Sequence, residues 1–151
     1  MIRVVLDANT FVSTVLKTHS KPAKVLQMAK EGKVTLISSK EILSEVKTVL
    51  LYAKLRKLDR RTPKKISEFV KRVARVSFIV PGTTKIQEIR DDPADNKYLS
   101  AAVEGRADVI VSGDHHLKDL KTFQGIRILD PSIRCMGRMD TGLTAGMLFT
   151  I

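Results

Sequence analysis

The sequence predicts an α/β protein with a central parallel sheet covered by helices on both faces, in a three-layer α/β/α arrangement. Short apolar runs alternate with segments of helical periodicity along most of the 151 residues. Four acidic residues each follow a predicted strand or lie in the early turns of the next helix. Because the carboxyl ends of parallel strands meet at one edge of a sheet, we expect these acids to converge there.

The predicted elements follow one another from a buried strand at the amino terminus. Ser38 and Glu41 form a capping-box pair that predicts the start of the third helix. Thr62, followed by a proline, opens the fourth helix, and Pro81 ends the third strand. In order, we expect a strand at 2–6, helices at 11–17 and 22–31, a strand at 33–37, helices at 39–53 and 62–74, a strand at 76–80, a helix at 92–104, and strands at 109–111 and 126–129.

The length of the chain fits one domain with a substantial core. We assign residues 1–130 to that domain. The tail at 131–151 has no charge after Asp140, so it packs on the domain or on a second subunit, or it is a frayed end. The single cysteine, Cys135, cannot form an internal disulfide, which favours a reducing, cytoplasmic location. No apolar run is long enough to span a bilayer, so no membrane partner is expected.

The four acids are Asp7, Glu45, Asp95 and Asp114. Two carboxylates about 4 Å apart repel by about 4 kcal/mol at an effective dielectric near 20. A fold tolerates several of them together only if some are protonated or a cation neutralises them. Oxygen ligands without a cysteine partner suit Mg²⁺ or Mn²⁺. The pattern therefore predicts a metal site that acts on phosphate.

Each acid also has a purely structural interpretation. Asp7 could end a strand in a turn, and Asp114 could be an ordinary loop residue. Glu45 shares the apolar stripe of its helix, so it is paired or metal-bound there, or reaches water at the edge of the stripe. Asp92 fits a helix N-cap and Asp95 the third helical position, where acids favour the helix dipole. His115 and His116 are interpreted as surface residues or substrate contacts.

The basic residues are concentrated in one segment. The net charge is +11, and Lys54–Arg75 holds ten lysines and arginines against two acids. A solvated helical hairpin is the structural explanation, but this density beside an acidic cleft favours contact with a phosphate backbone. The residues chosen as nucleic-acid contacts are Arg60, Arg61, Lys64 and Lys65.

The order of the acids resembles that of the PIN-domain nucleases. Members begin with a strand that ends in an aspartate, as in Val-Val-Leu-Asp7-Ala-Asn9, and a helical glutamate follows, as in Ile-Leu-Ser-Glu45-Val. The most specific part is the stretch DPADNKYLSAAVEGRADVIVSGD, which contains Asp95 and ends at Asp114. The resemblance covers residues 1–130 and is nearest to the VapC-like toxin components of toxin–antitoxin pairs.

That resemblance implies a Mg²⁺- or Mn²⁺-dependent ribonuclease, often dimeric, with a small antitoxin protein as partner. The four acids would be both catalytic residues and metal ligands. We expect Asn9 and Ser112 to orient carboxylates or water and Asn96 to contact the RNA substrate. Three alternatives stay open: a nucleic-acid-binding module without catalysis, a small-substrate phosphatase or receiver-like domain, and an RNA-processing nuclease with no toxin role.

Overall fold

The structure, a computed structural model, describes residues 1–16, 21–54 and 62–131. The tail beyond Pro131 and the predicted nucleic-acid contacts Arg60 and Arg61 lie outside these residues. The elements are β1 (Ile2–Leu6), α1 (Ala8–Leu16), α2 (Lys21–Lys30), β2 (Val34–Ser39), α3 (Lys40–Lys54), α4 (Thr62–Val76), β3 (Ser77–Val80), a 3₁₀ turn (Pro93–Asp95), α5 (Asn96–Glu104), β4 (Val109–Val111), α6 (His115–Lys118), β5 (Thr122–Phe123) and β6 (Ile126–Leu129).

A six-stranded sheet carries the fold, with the strand order β3-β2-β1-β4-β6-β5. All neighbouring strands are parallel except β5 and β6. The sequence prediction of an α/β protein built on a mainly parallel sheet is confirmed. The chain winds outward from β1 through β2 to β3, then crosses over to β4 on the other side of β1. The carboxyl ends of β1 and β4 therefore flank a topological switch point, the usual location of a binding crevice.

The second half of β1, at the centre of the sheet, is apolar. Val4, Val5 and Leu6 of β1 are completely buried, as expected for a strand covered on both faces. One helix approaches this layer very closely: a Cβ added to Gly105, at the end of α5, would lie 2.5 Å from Cγ2 of Ile37 in β2. The central strands and α5 thus form a tightly packed base beneath the carboxyl edge. No helix among the described residues is both long and apolar enough to cross a membrane.

Several predicted boundaries are wrong for identifiable reasons. The strand β2 continues through Ser39 because its ladder with β3 pairs Ser39 with Val80. The helix cap is therefore Ser39, whose Oγ accepts a hydrogen bond from the backbone N–H of Ile42 (3.3 Å), and the predicted capping box of Ser38 and Glu41 is not formed. Helix α1 begins at Ala8, directly after β1, and the short elements α6 and β5 were not predicted.

Candidate active site

Asp7 is fixed at the point where β1 turns into α1. Its carboxylate is 3% exposed. One oxygen, Oδ1, accepts a hydrogen bond from the backbone N–H of Thr10 (2.8 Å), so Asp7 caps the helix. The other, Oδ2, accepts from the hydroxyl of Ser112 (2.5 Å). Burial raises the pKa of Asp7, against the hydrogen bonds from Ser112 and Thr10 that lower it, and the charge of Asp114 raises it further.

Ser112 links the ends of β1 and β4. It is fully buried, donates to Asp7, and its Oγ accepts from the backbone N–H of Asp114 (3.0 Å). Asp114 in turn caps α6, because its Oδ1 accepts from the backbone N–H of His116 (2.9 Å). The two strand-end aspartates are therefore held in a fixed relation by one hydroxyl group.

A compact acidic trio lies beside these residues. Asp92, Asp95 and Asp114 each place a carboxylate oxygen within 4.8 Å of the other two. Asp95 is 8% exposed, and its Oδ2 is buried without a hydrogen-bond partner. Neither Asp92 nor Asp95 makes a side-chain cap bond, so the predicted capping role does not explain either carboxylate. A carboxylate that has one unsatisfied buried oxygen and lies close to two other acids is the arrangement that a bound cation would complete.

The trio changes the protonation of Asp95. Burial, the charges of Asp114 and Asp92, hydrogen bonding to Asp114 that favours the protonated form, and the charge of Glu45 together raise the pKa of Asp95 to about 7. Near neutral pH without a cation, this carboxyl therefore holds a proton for a large part of the time. A divalent cation would displace that proton and remove the repulsion among the three side chains.

Glu45 reaches the site from α3 and is held by two residues of α5. It is only partly buried, at the edge of the apolar stripe, and forms an ion pair with Nζ of Lys97. It also accepts a hydrogen bond from the hydroxyl of Tyr98 (2.8 Å), which itself accepts from the backbone N–H of Ala8 (3.1 Å). Burial is the main reason that the pKa of Tyr98 is raised, so its hydroxyl remains a donor.

The four predicted acids therefore lie at one edge of the sheet, but their carboxylates do not all contact one another. Asp95 and Asp114 belong to the trio, whereas Asp7 and Glu45 interact with it through their charges. A second possible ligand group consists of Asp114, His115 and His116, whose imidazole rings are 3.9 Å apart. Because His115 is mostly exposed, this group lies on the solvent side of the trio.

The predicted supporting residues lie in different surroundings. Asn9 is exposed, and Thr10 rather than Asn9 contacts the carboxylate of Asp7. The amide of Asn96 is buried and forms two hydrogen bonds with the backbone of Ile89 (2.9 Å each). Lys64 and Lys65 are exposed in the first turn of α4.

Sequence reasoning missed four residues with polar roles at this site: Thr10, Asp92, Lys97 and Tyr98. A signal existed for Asp92, since three acids in five residues exceed what capping requires. Helical spacing also placed Lys97 and Tyr98 one turn or less from Asp95. Thr10 could be recognised only with the true start of α1, which lies at Ala8, three residues before the predicted start.

Comparisons with known proteins identify the family of the chain and a solved structure of similar fold. The chain is 33% identical over 123 residues to the protein MJ1680 of Methanocaldococcus jannaschii, covering 80% of this chain and 76% of that one. A crystal structure of VapBC2 from Rickettsia felis, bound to a DNA fragment from its promoter, contains a chain with a TM-score of 0.54. That match covers 85% of this chain and 98% of the other at 15% identity, which establishes likeness of fold. The PIN-domain family profile matches residues 3–116, so the chain belongs to the PIN-domain family, whose members are typically nucleases.

Proposed function

We propose that the protein is a Mg²⁺- or Mn²⁺-dependent endoribonuclease that hydrolyses phosphodiester bonds with a metal-activated water. The observation that carries the proposal is the acidic trio, in which a buried oxygen of Asp95 has no hydrogen-bond partner while two more carboxylates lie beside it. An all-oxygen donor set of this kind fits a hard divalent cation. Membership of a nuclease family supports the same conclusion.

In this proposal Asp7, Asp95 and Asp114 hold the metal, Glu45 completes the site, and Asp92 joins them as a fifth acid. When bound, the cation supplies a water of lowered pKa and neutralises charge on the scissile phosphate. Asp95 releases its proton as the site is loaded. Thr10 and Ser112 keep both oxygens of Asp7 oriented, so that its carboxylate does not rotate away from the other ligands.

Lys97 and Tyr98 hold Glu45 in position. The ammonium group of Lys97 neutralises Glu45 in the structure, and the hydroxyl of Tyr98 ties that carboxylate to the beginning of α1. The side chain of Lys97 is only 16% exposed, which keeps its ammonium group close to the acids. When substrate is present, we propose that this lysine also faces a phosphate of the strand.

RNA is the proposed substrate, and the basic segment is its proposed backbone contact. Lys64 and Lys65 are solvent-accessible on α4, as a phosphate contact requires. Replacing Arg60, Arg61, Lys64 and Lys65 by alanine should weaken RNA binding for all sequences and flatten its salt dependence, because fewer counterions are released. An unchanged slope of log affinity against log salt would show that the backbone contacts other residues.

A toxin role, with a small antitoxin as partner, is the proposed biological setting, in the cytoplasm and as a homodimer. Support comes from the fold likeness to a chain of a VapBC2 complex. Expression of the wild-type protein in a bacterial host should stop growth, whereas Asp7→Asn should not. Normal growth at equal amounts of folded protein would favour the RNA-processing alternative.

Cleavage assays test the proposed activity. Purified protein is incubated with RNA, single-stranded DNA and a small phosphodiester, each with Mn²⁺ or with EDTA. We expect RNA to be cut only with Mn²⁺. Binding of RNA without cleavage would identify a non-catalytic binding module, and hydrolysis of the small ester alone would identify a small-substrate phosphatase.

A further inference from the structure

A cavity of about 540 Å³ opens beside the acids, on the same carboxyl edge of the sheet. It lies where β2 and β3 end, one strand away from the switch point between β1 and β4. It adjoins the acidic trio because Pro93 and Ala94, which separate Asp92 from Asp95, form part of its wall. Lys97 lines the cavity and is paired with Glu45. Its volume lies within the range of about 300–1,000 Å³ typical of ligand sites.

One wall of the cavity is an irregular segment that α5 holds in place. Residues 81–92 connect β3 to the 3₁₀ turn without regular structure, and connections of about this length are uncommon in compact domains and include many binding loops. Three residues of α5 at spacings of four, Asn96, Ser100 and Glu104, bond to this connection. They lie on one face of the helix because residues four apart are neighbours on its surface.

The bonds from α5 hold the backbone of the connection at Gly82 and Thr84 near its start and at Ile89 near its end. Glu104 accepts from the N–H groups of Gly82 and Thr84 (2.7 Å each), and the hydroxyl of Ser100 donates to the carbonyl of Thr84 (2.7 Å). Further along, Asn96 both donates to and accepts from the backbone of Ile89. Both ends of this wall are therefore anchored to α5, which lowers the entropic cost of binding a ligand between them.

The lining suits a nucleotide of a single-stranded chain. It offers hydroxyl groups, the amide of Gln87 and the carboxylate of Glu41 as hydrogen-bond partners for base edges. Ile86 and Pro93 offer apolar surface for the face of a base, and Lys85 is an exposed cation for a phosphate. Within the lining Lys97 is paired with Glu45, so Lys85 is the cation that an anionic group of the ligand would meet.

We propose that this cavity binds one unstacked nucleotide of the RNA strand, immediately beside the phosphodiester bond that is cut at the acids. The base enters the cavity, and the adjoining phosphate faces Lys85. The proposal rests on the proposed ribonuclease function and adds a determinant of sequence preference to it. A peptide segment of a protein partner is the competing occupant.

The test compares base preference around the cut in a randomised RNA pool, read by sequencing the product ends. The cavity variant is Lys85→Ala/Gln87→Ala, and the matched control is Gln27→Ala/Lys30→Ala, two exposed residues of α2 outside the cavity lining. We expect wild type and control to prefer particular bases at one position flanking the cut. In the cavity variant the base preference at that position should be about tenfold weaker, and the preferences at other positions should be unchanged. An unchanged preference in the variant, or no preference in wild type, would overturn the proposal.

A binding measurement separates failure of the cavity from failure of the nuclease function. Fluorescence anisotropy in EDTA compares a short RNA with an abasic chain of the same length. The cavity predicts that wild type and control bind the intact RNA about tenfold more tightly, and that the difference shrinks in the cavity variant. If RNA is bound in this way but never cut with Mn²⁺, only the nuclease function fails. If RNA is cut while intact and abasic chains bind equally, the cavity proposal fails. Loss of partner-protein binding in the variant with unchanged RNA selectivity would also contradict it.

Discussion

Aspartates lie at both the amino edge and the carboxyl edge of the sheet, in different surroundings. At the amino edge, Asp108 precedes β4 and lies beside Arg3 of β1. Its Oδ2 accepts a hydrogen bond from the backbone N–H of Arg3 (2.8 Å), and its own N–H donates to the carbonyl of Arg3 (2.8 Å). The guanidinium group of Arg3 also donates to the carbonyl of Gly105 (2.7 Å). This acid helps to tie the two strands together.

At the carboxyl edge of the same two strands, the acids face one another. Asp114 follows β4 and meets Asp92 and Asp95 in the trio, where an oxygen of Asp95 is buried without a partner. Buried polar groups in stable proteins are normally paired, so an unpaired one requires an explanation. The comparison sets an aspartate that ties two strands together against a group of aspartates in which one buried oxygen of Asp95 has no partner.

The largest expected difference between the edges is in catalysis. Asp7→Asn should lower RNA cleavage at least about 100-fold. Removing a residue that only supports a metal ligand costs up to about 100-fold, and Asp7 is itself a proposed ligand. Asp108→Asn should keep cleavage, because its hydrogen bonds serve the fold. Initial rates with Mn²⁺ and circular dichroism of both variants provide the measurement. Equal rates for the two well-folded variants would remove the functional distinction between the edges.

A smaller effect is expected within the carboxyl edge itself. Asp92→Asn should weaken Mn²⁺ binding by about tenfold or more, because Asp92 contributes an oxygen to the trio. The matched control is Asp91→Asn. It removes the same charge from the neighbouring residue, whose side chain is exposed. Calorimetric titration with Mn²⁺ measures both affinities. Equal losses would mean that Asp92 acts only through its long-range charge.

The main architecture could be predicted because apolar residues recur every two residues in a strand and every 3.6 residues in a helix, on the face that is buried. The sequence also selected Asp7, Glu45, Asp95 and Asp114, since topology alone places strand-end residues on one edge. The prediction from sequence was wrong where the end of an element depends on a neighbouring strand or helix. Ser39 became a cap because β3 extends the ladder of β2, which no local pattern near Ser39 records.

The contacts around Glu45 were beyond sequence reasoning for a related reason. The pairing of Glu45 with Tyr98 joins residues 53 positions apart, and the bond from Ala8 to Tyr98 spans 90 positions. Such contacts depend on the way α3 and α5 pack against β1. The same holds for the cavity beside the acids, whose wall is set by bonds between α5 and the connection 81–92.

Tyr98 provides a test of how firmly the carboxyl edge is held. Tyr98→Phe leaves the buried N–H of Ala8 without its acceptor, which should lower the free energy of unfolding by about 1–3 kcal/mol. Because Glu45 loses a hydrogen bond as well, cleavage should fall by about tenfold. Tyr52→Phe, at a side chain that is 79% exposed, should change neither quantity. Thermal unfolding and initial rates measure both variants, and identical behaviour of the two would exclude a positioning role.

The smallest effect is a dependence of stability on pH. The pKa of Asp95 is about 7 in the folded protein, above its ordinary value of 3.8, so the folded state binds more protons than the unfolded state between these values. In EDTA the contribution of Asp95 to stability is therefore full below pH 3.8 and is lost as the pH rises through about 7. Asp95→Asn should flatten the fall in melting temperature between pH 5 and 8, whereas Asp108→Asn should retain it. A slope that survives in Asp95→Asn would assign the effect to other groups.

Melting curves of the wild type and Asp95→Asn, each in EDTA and in Mn²⁺, test the central claim most directly. If the acids form a metal site, wild type gains about 2.7 kcal/mol when free Mn²⁺ is a hundredfold above its dissociation constant. Asp95→Asn then melts at or above wild type in EDTA, because one repelling charge is gone, and gains much less from Mn²⁺. If Asp95 only stabilises the start of α5, the variant loses up to about 1 kcal/mol in EDTA and responds to Mn²⁺ as the wild type does. That second result would contradict the assignment of the carboxyl edge as a metal centre.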